Sequence, residues 1–73
     1  MKPFVPPYPL LKQIQRILFV RLMSVRAGSP EFDALLKMIM FQSRLMCDHY
    51  HKTRQDVFDY HKQIVHEHID SLD

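Results

Sequence analysis

Asp48-His49-Tyr50-His51-Lys52-Thr53-Arg54-Gln55-Asp56 is the stretch whose reading decides the architecture of this chain. It is the polar middle of residues 31–73, which contain neither glycine nor proline. At about 1.5 Å per residue, one uninterrupted helix over that run would reach roughly 60 Å. Two signals compete. An apolar stripe enters the stretch through Leu36, Ile39, Met40, Ser43, Cys47 and Tyr50, and leaves it in the same phase through Val57, Phe58, His61, Ile64, Val65, His68 and Leu72. Continuous phase at three- and four-residue spacing favours one helix. Thr53-Arg54-Gln55-Asp56 resembles a capping box and favours a fresh start. Such tetrads recur by chance, and nothing ahead of Thr53 breaks a helix. The pattern therefore predicts a long helix over about 30–72, with Thr53 as the one place where a kink could enter.

Upstream, Gly28-Ser29-Pro30-Glu31 reads as a helix stop followed by an N-cap, a first-turn proline and a carboxylate at the helix N-terminus. Residues Gly28 to Phe32 are also what a common cloning polylinker encodes. Before this turn, Leu11, Ile14, Leu18, Leu22 and Val25 mark one face of a shorter helix over about 9–26. Arg21 intrudes on that face and is expected to snorkel or to pair with a carboxylate such as Asp33. Pro3, Pro6, Pro7 and Pro9 make residues 1–8 an extended arm carrying Phe4, Val5 and Tyr8, side chains suited to lying along a partner. The expected fold is all-α: an arm, then a helical hairpin over 9–73.

A hairpin of this kind is incomplete. Leu35, Met38, Phe41 and Leu45 lie off the main stripe, so the first half of the long helix is apolar on more sides than one short helix covers. Its second half would have no cover within the chain. Seventy-three residues bury little on their own, and Cys47, the only cysteine, excludes an internal disulfide. Dimerisation into a helical bundle, four-helix or extended as a coiled coil, follows as the expected remedy. Leu36, Ile39, Met46, Tyr50, Val57, Phe58, Ile64 and Val65 are the expected interface.

The net charge of +2 divides unevenly: residues 1–30 hold five basic and no acidic side chains, while residues 31–73 hold eight acidic and five basic ones. Lys12, Arg16 and Arg26 form a basic face that makes a dimeric nucleic-acid binder the main rival to a protein-interaction module. A subunit of a larger helical assembly is a third reading. No nucleophile, carboxylate pair or phosphate loop supports catalysis, so no enzyme is expected and no cofactor or metal. The five histidines lack the one-turn spacing of a helical metal site. His61 and His68 instead fall on the apolar stripe, where protonation near pH 6 would oppose burial, making them candidates for a pH switch. One unpaired cysteine fits a reducing, cytoplasmic setting. No apolar run is long enough to span a bilayer.

Overall fold

The computed structural model describes residues 4–71, and among them the secondary structure is entirely helical. There are three helices: α1 (Tyr8–Ser24), α2 (Pro30–Tyr50) and α3 (Arg54–Ser71). The long helix expected over 30–72 is thus two helices, and the molecule's longest dimension is 42 Å instead of the roughly 60 Å of a straight rod.

Local chemistry at residues 51–56 accounts for the break. His51 leaves α2 in the left-handed region, at φ 56° and ψ 30°. Its N–H and that of Lys52 both turn back to the Met46 carbonyl, closing the helix end. The capping box then forms reciprocally. The Asp56 N–H donates to Thr53 Oγ1 at 3.0 Å, and the Thr53 N–H donates to an Asp56 carboxylate oxygen at 3.0 Å. These bonds hold the Asp56 carboxyl below the usual carboxylate range, the Thr53 backbone N–H acting most strongly. Four residues that look accidental in a string prove to be the signal that wins.

The first turn follows the expected chemistry. Gly28 takes φ 85°, which a side chain would resist, and Ser29 Oγ accepts from the Phe32 N–H at 3.1 Å. Pro30 opens α2, with Glu31 and Asp33 in its first turn. Arg21 pairs across this turn with Glu31 at 2.8 Å; Asp33, the expected partner, instead meets Lys37. At the other end α1 begins one residue earlier than predicted, so Tyr8 belongs to the helix and not to the arm.

Helix α1 packs against both other helices, whereas α2 and α3 touch least. The α3 stripe therefore has cover within the chain, contrary to the expectation of a bare second half. Two apolar layers result. Leu11, Met46 and Val57 join all three helices near the α2–α3 turn, with Tyr8, Leu45 and Tyr50 against them. Leu18, Leu22 and Ile39 join α1 to α2 nearer the first turn, with Ile14, Phe32 and Leu35 around them. Ile64 is 1% exposed, so a charge placed there tests folding and not association. Two tyrosines tie the layers to the backbone: Tyr60 Oη donates to the Lys12 carbonyl at 2.7 Å, and Tyr50 Oη donates to the Pro6 carbonyl.

If residues 51–56 encode the break, His51→Gly removes a strained left-handed side chain and raises unfolding free energy by about 1 kcal/mol. Thr53→Ala lowers it by about 1 kcal/mol through loss of the cap. Urea denaturation followed by circular dichroism reads both; two unchanged midpoints contradict this origin of the turn.

Candidate functional site

Between the two apolar layers, α1 presents Gln15, which has no exposed surface. Its position is set by helical spacing: 11, 15, 18 and 22 fall on one face, and leucine fills every place but the second. A buried amide needs partners, and this one has them on both other helices. Gln15 Nε2 donates to the Ile39 carbonyl of α2 at 3.1 Å, and Gln15 Oε1 lies 2.9 Å from His61 Nε2 of α3. Because the amide nitrogen is committed to a carbonyl, its oxygen can only accept, so His61 Nε2 carries a hydrogen. The Ile39 carbonyl also accepts from Ser43 Oγ at 2.8 Å.

His61 is half-buried and its ring lies 4.6 Å from that of Phe19, centroid to centroid. Together the two rings floor a groove of about 700 Å³ that runs between α2 and α3. Leu36, Met40 and Cys47 line its α2 side, and Val57 and Phe58 its α3 side. Arg44, Asp48, Lys52 and Arg54 supply its charged rim. The groove exists because α2 and α3 diverge from their short turn while α1 supports both.

The eight residues expected at an interface divide by depth. Ile39, Met46, Val57 and Ile64 are buried inside the single chain, Tyr50 and Val65 are partly buried, and Leu36 and Phe58 are exposed along the groove. Val65 and Ile69 continue the Phe58 side of α3 at seven- and eleven-residue spacing, and Ile69 is exposed. Of the arm residues, Phe4 is 82% exposed, Val5 is partly buried, and Tyr8 packs on Tyr50 at 5.5 Å between ring centroids. His68 is partly buried on α3.

The basic face of the first thirty residues is largely engaged. Arg16 pairs with Glu67 of α3, bringing the basic and acidic halves together within one chain. Glu67 is held below the usual carboxylate range by the Gln63 amide and by Arg16, and its bond in turn raises Arg16. Lys12 sits over the Tyr60 ring at 4.8 Å and the Tyr8 ring at 5.9 Å. Arg26 lies beyond the end of α1 and is exposed. Among the described residues no three histidine, cysteine, aspartate or glutamate side chains gather as a metal site would need. No helix there is long and apolar enough to cross a membrane. Cys47, which spacing placed on the apolar stripe, is partly buried at the groove wall.

Comparison with protein-family models, curated proteins and solved structures yields no match to this chain.

Burial pushes the His61 imidazole below its ordinary pKa of 6.5. Between the folded and the ordinary value the unfolded chain binds more protons, so stability rises with pH across that window. The contribution is full above the ordinary value and is lost as pH falls through the folded one. Thermal unfolding between pH 7.5 and 5 is expected to show a falling midpoint. His61→Gln, which keeps a donor toward Gln15 without titrating, flattens the fall. An equally steep fall in that variant removes His61 as its source.

Proposed function

We propose that this chain is a non-enzymatic protein-interaction module that acts as a homodimer. The observation that carries the reading is that large apolar side chains lie exposed on two faces of the three-helix core. One face is the groove, with Leu36, Met40 and Phe58 exposed beside it. The other is the flank shared by α1 and α2, where Leu10 and Ile17 of α1 and Met38 of α2 are exposed, while Phe41 stands between the two faces in a small recess with Met40 and Arg44. The Arg21–Glu31 pair bridges that flank at one end. Ile17 lies one turn from Arg21 and Met38 two turns from Glu31, so both follow the bridge along antiparallel helices. Contiguous exposed apolar surface of this kind marks association sites.

Pairing of the flank with its own copy sets two α1–α2 pairs against each other, an isologous four-helix arrangement. It covers Met38, one of the off-stripe residues of α2 that the core leaves exposed, and it leaves the groove open for another protein. The exposed Phe4 is available to either partner. A nucleic-acid reading has less support, since Lys12 and Arg16 are already engaged within the chain. The half-buried, unpaired Cys47 accords with a cytoplasmic setting.

Sedimentation equilibrium is expected to give a dimer with a dissociation constant tighter than about 100 μM. Ile17→Glu combined with Met38→Glu, both at exposed positions, yields a monomer of unchanged helicity. A native chain that stays monomeric, or a double variant that still dimerises, contradicts the flank as the interface.

A further inference from the structure

Resting on the interaction reading above, we infer that the α2–α3 groove holds a helix of another protein whose apolar ridge is flanked by carboxylates. The groove has the dimensions for it. Its α2 wall runs from Leu36 to Asp48, about 18 Å, or roughly three turns of a docked helix. Its lining is apolar where a helix ridge would lie, through Phe19, Leu36, Met40 and Phe58. A fourth helix there completes a bundle over the side on which α2 and α3 diverge.

Charge selects the occupant. Arg44, Lys52 and Arg54 stand on the rim against one acid, Asp48. Among the described residues the ion pairs are Arg16–Glu67, Arg21–Glu31 and Lys37–Asp33, so neither Arg44 nor Arg54 has a carboxylate partner. Lys52 lies over the Tyr8 ring at 4.9 Å, and its charge acts on the Asp56 carboxylate without forming an ion pair with it. Two unpaired guanidinium groups beside an apolar trough are suited to bidentate carboxylates at the edges of a docked ridge.

A second copy of this chain does not supply such a ridge. Helix α1 carries the exposed Leu10, Ile17 and Val20 but has no carboxylate anywhere along it. The exposed Met38 and Phe41 of α2 lie between Lys37 and Arg44 of the same helix. Helix α3 does carry Asp59 and Asp70 along with its exposed Phe58 and Ile69, but Lys62 lies over the Phe58 ring at 5.4 Å. Each of the three ridges would therefore bring a cation against the cationic rim. A nucleic acid would satisfy the rim but would leave its phosphates over the apolar trough.

The test uses two synthetic helical peptides of about 18 residues. Both carry leucines at positions i, i+3, i+7 and i+10; one has glutamates at the flanking positions and the other lysines. Each is titrated into the isotopically labelled full chain and followed by NMR. The glutamate peptide is expected to shift the Leu36, Met40, Phe58 and His61 amides and to bind at least about tenfold tighter than the lysine peptide. Raising salt to about 0.5 M narrows that ratio. Arg44→Glu with Arg54→Glu, both surface changes whose folding circular dichroism verifies, reverses the preference. Equal binding of both peptides in the groove overturns the acidic partner while leaving the interaction reading intact. Binding of neither overturns the groove as a docking site altogether. Displacement of the glutamate peptide by an oligothymidylate from the same amides assigns the rim to phosphate and overturns the proposal.

Discussion

A single buried amide holds the three helices of this chain in register. Gln15 reaches the α2 backbone at Ile39 with its nitrogen and the α3 side chain of His61 with its oxygen. Hydrogen bonds of this kind contribute only about 1 kcal/mol each in net stability, but leaving a buried donor or acceptor unmet costs about 1–3 kcal/mol. The asymmetry gives the contact its authority. Apolar layers on either side tolerate small slips of one helix along another, whereas the amide permits one arrangement in which both its ends are met. Leu11 and Leu18 lie one turn either side of it on α1, and they feed the two separate layers.

The groove follows from the same constraint. His61 must sit near α1 to reach Gln15, which brings it against Phe19 and draws α3 toward α1 more than toward α2. The sharp turn at residues 51–53 joins α2 and α3 at one end only. With α1 as the common support, the two diverge, and the trough they leave is floored by the rings that the polar clamp positions. Fold and candidate site thus share residues: His61 is at once a member of the clamp and part of the groove floor. The two faces also differ in kind. One is the α1–α2 flank, which the proposed dimer would pair with its own copy; the other is a groove bordered by Arg44 and Arg54.

Much of this was legible in the string. The Gly28-Ser29-Pro30 turn is local chemistry, and it formed as read. The all-helical class followed from periodicity. The break at Thr53 was written there too, but phase continuity outweighed it for an identifiable reason. A stripe that keeps its phase is expected of one long helix, and equally of two helices that each turn an apolar face to the same third helix. Periodicity cannot separate these cases, whereas a reciprocal cap can. Ile39, Met46, Val57 and Ile64 were read as a dimer interface, whereas the single chain buries them itself. Gln15 was missed because the face of α1 was read from its apolar members alone, Leu11, Ile14, Leu18, Leu22 and Val25. The signal was its spacing, four residues after Leu11 and three before Leu18. The groove and its unpaired Arg44 and Arg54 depend on how α2 and α3 diverge, which no local pattern encodes.

Exchange of the Gln15 side-chain amide protons tests the central claim most directly. In isotopically labelled protein, Gln13, Gln55 and Gln63 are exposed and serve as internal references. The clamp predicts Gln15 Nε2 protons that exchange with solvent far more slowly than those of the three references, together with a His61 ring in the Nε2-protonated tautomer at neutral pH. A Gln15 amide that exchanges as fast as the references, or a His61 ring protonated on Nδ1 alone, would contradict it.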